Sequence, residues 1–287
     1  MYKIVRKQEL NASVTLMEIE APFVARKAKA GQFIIFRIDE MGERVPLTIA
    51  GYDREKGTVT IIFQKVGFST NALGALKEGD YIHDFVGPLG KPTPVEGKKK
   101  VCVVGGGVGC AIAYPVLKKF HDCGAEVHAV VGFKNKDVVI LEDKFKSASD
   151  VMKLVTDDGS YGEKGLVTDA LKQLIEEGNQ YDEIFAIGPA IMMKFVCLLT
   201  KELDIPTIVS MNPIMVDGTG MCGACRLTVG DEVKFACVDG PEFDGHLVDF
   251  DQAMKRQQMY KSEEGRAMLK LQEGDTHKNG GCGCSGN

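Results

Sequence analysis

Three cysteines and one carboxylate are grouped in a glycine-rich run near the C-terminal end of the chain. Four residues separate Asp217 from Cys222, two separate Cys222 from Cys225, and eleven separate Cys225 from Cys237. Thiolates are soft ligands that select zinc and iron–sulfur clusters, and a tight glycine-bearing loop lets successive side chains converge on one centre. The run therefore predicts a metal centre.

The spacing favours a [2Fe-2S] cluster over other metal centres. Cysteines at Cys-x4-Cys-x2-Cys followed by a distant fourth ligand are the plant-type arrangement, and Asp217 stands in the first position. Arg226 to Val229 and Val233 to Ala236 predict a short hairpin that returns the last cysteine to the loop. We expect the cluster on four ligands: Asp217, Cys222, Cys225 and Cys237.

Two alternatives remain open for this segment. Asp217 could shape the loop, with Cys282 or Cys284 of the polar, glycine-rich tail completing the ligand set. That alternative requires ordering a tail at an entropic cost. The second alternative is a zinc tetrahedron, because three cysteines and a histidine are a common zinc ligand set. Its ligands would be Cys222, Cys225, Cys237 and His246.

Composition limits the classes of function. The 287 residues carry a formal net charge of -5 with no basic stripe, which argues against a nucleic-acid partner. No apolar run reaches the length of a membrane span, and Met1 is not followed by a charged-then-apolar leader. We expect a cytoplasmic protein without a membrane partner, in which nine cysteines serve as thiols and metal ligands.

The chain divides by its patterning into a strand-rich part and an alternating part. Up to about Pro94, short strands separated by glycines indicate a small antiparallel barrel, with Ser69 to Leu76 as its single short helix. The barrel strands are predicted at Ser13 to Glu20, Gln32 to Ile38, Arg44 to Ala50, Thr58 to Lys65 and Asp80 to Val86.

Beyond the proline-containing linker, strands alternate with helices, which predicts a parallel sheet with right-handed crossovers. The fold class is therefore a β barrel plus α/β. We place an antiparallel barrel over residues 1–96, a nucleotide-binding α/β domain over 97–210 and a small [2Fe-2S] module over 211–250. Past Asp244, a helical stretch is predicted with Leu247, Phe250 and Met254 on one face. The helical segment and polar tail over 251–287 are the predicted partner contact.

A glycine loop follows the first strand of the α/β part and opens a helix. Small residues there let the backbone approach a pyrophosphate and direct N–H groups at it. The segment Asp157-Asp158-Gly159 follows another strand, so it should lie at the adenosine end of the same cofactor. Two carboxylates would bind ribose hydroxyls and repel a 2′-phosphate, which predicts NADH over NADPH. The loop glycines are Gly105, Gly106, Gly107 and Gly109.

The barrel part carries a second set of candidate binding residues. Arg44 could pair with a phosphate, Thr48 could bond the edge of a flat ring, and a helix N-terminus near Ser69 could hold a pyrophosphate. Taken together with Gly87-Pro-Leu-Gly90, these motifs resemble the ferredoxin reductase-type flavin domain. The resemblance implies FAD bound by Arg44, Pro46, Leu47, Thr48, Gly67, Ser69 and Thr70.

The same family places a Cys-Gly-Pro turn near the nicotinamide, and Gly188-Pro189 resembles it, with Ile187 in the place of the cysteine. No acid–base residue is required there, since hydride transfer depends on close stacking of two rings. The resemblance implies that hydride passes between NAD(H) and FAD, and single electrons between FAD and the cluster.

The order of barrel, nucleotide domain and two-iron module is similar to two kinds of electron-transfer subunit. One serves dihydroorotate dehydrogenase and has four cysteines at its cluster. The other is the small subunit of NADH-dependent reduced ferredoxin:NADP+ oxidoreductase, which is similar to the sulfide dehydrogenase small subunit. Asp217 and the Asp157-Asp158 segment favour the second kind.

That resemblance implies a hetero-oligomer with a large flavin and [4Fe-4S] subunit that uses NADP(H) and ferredoxin in electron bifurcation. The dihydroorotate dehydrogenase subunit is the alternative enzyme. A non-redox, zinc-stapled nucleotide-binding module that acts as an interaction protein is the alternative from another class.

Overall fold

The computed structural model describes residues 1–273. Its first part is one antiparallel sheet of seven strands, in the order β6-β1-β2-β5-β4-β3-β7. Strands β6 and β7 lie at opposite edges although His83 alone separates them, so the sheet must curl until its edges approach each other. This confirms the predicted antiparallel barrel. The elements are β1 (Tyr2–Glu9), β2 (Val14–Glu20), α1 (Pro22–Lys27), β3 (Phe33–Arg37), β4 (Val45–Asp53), β5 (Thr58–Gln64), α2 (Phe68–Ala75), β6 (Tyr81–Ile82) and β7 (Asp84–Leu89).

The barrel differs from the prediction at three places. The barrel begins with β1, a strand that was not predicted. In place of the single strand predicted from Asp80 to Val86, it has the two strands β6 and β7. The prediction of a single helix was also wrong, because α1 precedes β3. A proline at its first position starts this helix, and Val24 and Ala25 bury one face against the barrel. One buried face over six residues is too short a pattern to distinguish a helix from a loop.

The second part is a sheet whose first six strands run parallel in the order β11-β10-β9-β8-β12-β13. Helices connect these strands except β10 and β11, which a turn joins, and the carboxyl ends of β8, β9, β10 and β12 share one edge. This confirms the predicted parallel sheet. The elements are β8 (Lys100–Gly106), α3 (Cys110–Asp122), β9 (Glu126–Phe133), α4 (Glu142–Ser147), β10 (Val151–Thr156), β11 (Glu163–Lys164), α5 (Val167–Glu176), β12 (Glu183–Ile187), α6 (Ala190–Glu202) and β13 (Thr207–Ser210).

The segment with the three cysteines is joined to this second sheet. Its hairpin of β14 (Arg226–Val229) and β15 (Glu232–Phe235) is followed by β16 (Glu242–Asp244), which pairs antiparallel with β13 as a seventh strand. Helix α7 (Phe250–Gln257) packs on α6, and α8 (Lys261–Glu273) contacts α2. Phe250 and Ala253 are buried whereas Leu247 is exposed, so the predicted apolar face is wrong at Leu247, which precedes the helix.

Strand β3 is buried on both faces and joins the barrel to the cysteine segment. Ile34 and Phe36 point into the barrel core, while Phe33 and Ile35 belong to the same buried cluster as the hairpin residue Leu227. A strand covered on both sides reads as a continuous apolar run, as Phe-Ile-Ile-Phe does here. The barrel, the second sheet and the cysteine segment therefore share cores. None of the helices in residues 1–273 has the length and apolar character that a bilayer crossing requires.

Candidate functional site

The cysteine loop, residues 217–225, brings the Cys225 thiol close to the thiol of Cys237, which follows the hairpin. Cys225 Sγ and Cys237 Sγ lie 3.3 Å apart and both are buried, whereas Cys222 is exposed. Burial, with the Cys225 thiol beside it, raises the pKa of Cys237 to about 12. The Cys237 thiol therefore holds its proton at neutral pH, and a metal would displace that proton on binding.

Asp217 lies beside this pair and is bonded to the loop. Its Oδ1 accepts hydrogen bonds from the backbone N–H and the hydroxyl of Thr219, and its Oδ2 accepts one from Cys222 N–H at 2.8 Å. These bonds, led by Thr219, hold the pKa of Asp217 well below its usual range. A carboxylate offers about four lone-pair sites, so one site on Oδ2 stays open to a metal after three bonds.

The residues present fit a two-iron cluster. Such a cluster takes its ligands as two pairs, one pair for each iron. Cys225 with Cys237 forms one pair, and Asp217 with Cys222, joined by the Oδ2 hydrogen bond, forms the other. Thiolates are the ligands that iron–sulfur clusters prefer.

The zinc alternative finds no such arrangement. The His246 ring contacts the Thr200 hydroxyl at 3.0 Å and borders a cavity lined by Glu183 and Asp204, away from the cysteines. Within residues 1–273, no three His, Cys, Asp or Glu side chains are gathered in a way that would hold a single ion. Cys282 and Cys284, the alternative fourth ligands, lie outside the described residues.

The cysteine loop packs directly against the barrel. A Cβ at Gly218 would come within 2.6 Å of Ile35 Cδ1 and 2.8 Å of Leu89 Cδ1, so only glycine allows this approach. Ile35 pairs with Pro46 in the β3–β4 register. The loop therefore packs on the strand that neighbours the one with the predicted flavin contacts.

Arg44 links the loop to the start of β4. Its Nε donates to Val216 O at 2.7 Å and its Nη2 donates to Asp217 O at 3.3 Å. This contact spans more than 170 residues and was not part of the prediction, which assigned Arg44 to a phosphate alone. The guanidinium has five N–H donors, so the two roles are compatible.

The remaining flavin candidates lie on β4 and at the start of α2. Pro46, Leu47 and Thr48 are half-buried residues of β4. The Thr70 hydroxyl accepts from the N–H groups of Val66 and Gly67 and so caps α2, while the Ser69 hydroxyl bonds the Glu43 carboxylate. The Glu43 contact, which sequence reasoning missed, brings the start of β4 to the N-terminus of α2.

The predicted nucleotide loop lies at the carboxyl end of β8, against the turn that follows β12. A Cβ at Gly109 would come within 2.6 Å of Gly188 Cα, and a Cβ at Gly106 would meet Met192 Sδ at 2.3 Å and Pro189 Cδ at 3.3 Å. Gly107 has a φ of 55° and open space at its Cβ position. Gly106 and Gly109 thus pack on the Gly188-Pro189 turn and the start of α6, Gly105 packs on Cys110 and Ala113 of α3, and Gly107 leaves room for a ligand.

The acidic segment lies at the same edge of the sheet, two strands from this loop. Asp157 N–H donates to Phe133 O at 3.0 Å, and Asp158 Oδ1 accepts from Ser160 N–H at 2.9 Å. The Ser160 side chain lowers the pKa of Asp158, so this carboxylate is ionised. Neighbouring strands are about 4.8 Å apart, which separates the segment from the loop by about 10 Å. Gly159, with a φ of 76°, lies in the turn that follows Asp157 and Asp158, next to Lys164.

Sequence reasoning also missed two residues of α7 that bind the cysteine segment. Arg256 donates to Ala224 O, between Cys222 and Cys225, and Gln257 donates to Asn212 O. The apolar spacing in the sequence predicts the helix α7 that carries both residues. It does not predict their contacts, because these join residues more than 30 positions apart.

Two family models match the chain. The iron-sulfur cluster binding domain of dihydroorotate dehydrogenase B matches residues 212–249, and the oxidoreductase NAD-binding domain matches residues 103–198. These matches confirm the predicted iron–sulfur and nicotinamide-binding domains.

Full-length comparisons agree with the domain matches. The chain is 59% identical to an "uncharacterized protein in adh 3'region" of Clostridium beijerinckii, over 100% of the chain and 99% of that protein. It is 48% identical to the dihydroorotate dehydrogenase B (NAD(+)) electron transfer subunit homolog of Thermotoga maritima, over 91% of the chain and 92% of that protein. A solved structure of NADH-dependent reduced ferredoxin-NADP oxidoreductase is 45% identical with a TM-score of 0.90, covering 95% of the chain and 98% of its own.

Proposed function

Because the chain belongs to the family of dihydroorotate dehydrogenase B electron transfer subunits, we propose that it works in an oxidoreductase of the bifurcating NADH-dependent reduced ferredoxin-NADP type. The 45% identity to a solved structure of that enzyme supports this choice within the family. When bound, FAD exchanges a two-electron hydride with NAD(H), and the cluster carries one electron at a time.

The nucleotide loop and the acidic segment bind NAD(H) in this proposal. Gly107 admits the pyrophosphate, and the N-terminus of α3 faces its negative charge. Asp157 and Asp158 bond the adenosine ribose and exclude a 2′-phosphate. Gly188 and Pro189, packed against the loop, position the nicotinamide at the barrel.

The barrel residues hold FAD. Arg44 and the N-terminus of α2, with Gly67, Ser69 and Thr70, neutralise the pyrophosphate. The strand residues Pro46, Leu47 and Thr48 would hold the flavin ring, and their strand pairs with β3, on which the cysteine loop packs.

The packing of Gly218 against Ile35 is the observation that carries the proposal. It joins the [2Fe-2S] ligands Asp217, Cys222, Cys225 and Cys237 to the strand beside the flavin contacts, so electrons have a short route out of the barrel. Cys222 is exposed, and the cluster can therefore meet another chain. The partner is a large subunit with flavin and [4Fe-4S] clusters that handles NADP(H) and ferredoxin, in the cytoplasm.

The electron transfer subunit of a dihydroorotate dehydrogenase is the second candidate. The 48% identity to the Thermotoga maritima homolog and the iron–sulfur family match favour it. The two candidates differ in the partner chain and in the presence of Asp217 where the dihydroorotate dehydrogenase subunits have a fourth cysteine.

The proposal is tested on the purified chain and on its complex. Anaerobic NADH should bleach the flavin absorbance and then produce the EPR signal of a reduced two-iron cluster, whereas NADPH should do neither. The complex with its co-purifying large subunit should reduce NADP+ with NADH and reduced ferredoxin. Dihydroorotate-dependent NAD+ reduction would favour the second candidate, and zinc without flavin would refute both.

A further inference from the structure

Two side chains of helix α7 donate hydrogen bonds to the cysteine segment, one within the cysteine loop and one to a residue that precedes it. Arg256 Nη2 donates to Ala224 O at 3.1 Å, inside the Cys222–Cys225 segment, and Gln257 Nε2 donates to Asn212 O at 3.2 Å. The helix itself packs on α6 through the buried residues Phe250 and Ala253, and Asp251 pairs with Lys194 of α6 at 2.7 Å. Arg256 is thus attached to a packed helix and bonds a different carbonyl of the loop from those that Arg44 bonds.

Arg256 also places a positive charge near the ligands. Its half-buried side chain lines a cavity of about 190 Å³ together with Cys222, Arg226 and Tyr260. Among the side chains of residues 1–269, no carboxylate lies within ion-pair distance of the Arg256 guanidinium, so no salt bridge from these residues cancels its charge. Arg226 bonds Gly223 O at 3.1 Å but is exposed, and solvent screens its charge more strongly.

We propose that Arg256 is a positioning residue of the cluster that also raises the cluster's reduction potential. It fixes the Cys222–Cys225 segment through Ala224 O, and its positive charge stabilises the reduced form. The proposal rests on the [2Fe-2S] cluster of the proposed function.

The physical reason is the change in charge on reduction. One electron from the flavin, originally supplied by NADH, adds one negative charge to the cluster. A cation that bonds the segment between two ligand cysteines, in a partly buried site, interacts more favourably with this form than with the oxidised one. Hydrogen bonds that orient ligand-bearing segments contribute to the same tuning.

Three variants separate charge from hydrogen bonding. Arg256→Gln keeps an N–H donor without the charge, Arg256→Lys keeps the charge without the planar fork, and Lys255→Gln removes a neighbouring exposed charge from the same helix. The full chain with its cofactors is titrated potentiometrically under EPR detection, and cluster loss to a chelator is timed by absorbance.

Arg256→Gln should lower the midpoint potential, whereas Arg256→Lys and Lys255→Gln should stay near the wild-type value. Arg256→Lys should also lose its cluster to the chelator faster, by about 10-fold, as other changes next to metal ligands do. A wild-type potential in Arg256→Gln, or an equal shift in Lys255→Gln, would overturn the proposal.

If Arg256→Gln does not keep a cluster, the proposal is tested by the rate of cluster loss and the midpoint potential of Arg256→Lys. Faster loss at an unchanged potential supports the proposal, and an unchanged rate of loss contradicts it. A wild-type chain without a two-iron EPR signal would instead refute the proposed function itself.

Discussion

Asp217 is both a candidate ligand and a residue that shapes its own loop. Three of its four lone-pair sites accept hydrogen bonds from Thr219 and Cys222, so the loop geometry depends on a carboxylate at this position. The sequence predicted which residue stands in the first ligand position. The sequence left open whether Asp217 binds iron or only shapes the loop. The structure shows that its carboxylate accepts hydrogen bonds within the loop.

Replacement of Asp217 by cysteine should change the cluster and not abolish it. A thiolate is a softer ligand for iron than a carboxylate oxygen, so Asp217→Cys should keep two irons with altered visible absorbance and midpoint potential. Iron analysis and a potentiometric titration measure this. Asp217→Asn is the matched control, because its amide oxygen can still accept from Thr219 while the negative charge is removed and the bond from Cys222 N–H is lost. An unchanged spectrum and potential in Asp217→Cys would show that Asp217 is not a ligand.

Glu242 makes the stability of the chain dependent on pH. Thr93 donates to its Oε1 at 2.7 Å, while its Oε2 is buried without a partner among the described residues. Burial, reinforced by nearby Glu183, raises the pKa of Glu242 from 4.5 to about 7. The folded chain therefore binds a proton more tightly than the unfolded chain, and stability falls as pH rises from about 4.5 to about 7.

Glu242→Gln should remove this dependence. The variant should be more stable than the wild type at pH 8, by about 3 kcal/mol at most, with the difference vanishing toward pH 4.5. Denaturant unfolding of both chains at several pH values measures it. Glu20→Gln, at an exposed carboxylate, is the control. A difference that is the same at pH 5 and pH 8 would contradict the prediction.

The glycine loop shows how far an element can be predicted. The β-branched strand followed by glycines predicted β8, the loop and α3 with boundaries within one or two residues, because local propensity and neighbouring contacts agree there. The separate roles of the glycines were not predictable. They depend on the turn after β12, which lies more than 75 residues further along the chain.

Gly109→Ala should disturb this loop specifically. Its Cβ would come within 2.6 Å of Ile187 O and of Gly188 Cα, which are backbone atoms that cannot turn aside. The loop must shift, and we expect the KM for NADH to rise by about 10-fold, since small displacements of a binding element are costly. Steady-state kinetics with NADH and an artificial acceptor measure it. Val108→Ala in the same loop should have little effect, and an unchanged KM in Gly109→Ala would refute the packing role.

At the scale of the whole molecule, three predicted parts share cores across β3 and across β13. The pairing of β16 with β13 attaches the cysteine segment to the nucleotide domain, and Gly218 attaches it to the barrel. The proposed electron route therefore depends on contacts between parts that are distant in sequence.

Gly218→Ala tests that route. A Cβ there would overlap Ile35 and Leu89, and the φ of 81° disfavours any residue with a Cβ, so the cysteine loop should move away from the barrel. Stopped-flow mixing with NADH should show flavin reduction at the wild-type rate and slower cluster reduction. Gly230→Ala, at a hairpin turn with a φ of 61° and no close neighbour, controls for backbone strain. Equal slowing of both steps would contradict the proposed route.

The sequence by itself determined the barrel, the parallel sheet, the loop glycines and the cysteine ligand candidates. Each of these is carried by a local pattern of apolar residues, glycines or thiols within about 20 positions. The tertiary structure decided that Arg44 and Arg256 bond backbone carbonyls around the cysteine loop, that His246 bonds Thr200, and that Glu242 is buried beside Thr93. Such contacts join residues between 32 and 172 positions apart in the chain, and only the packing of the folded parts brings them together.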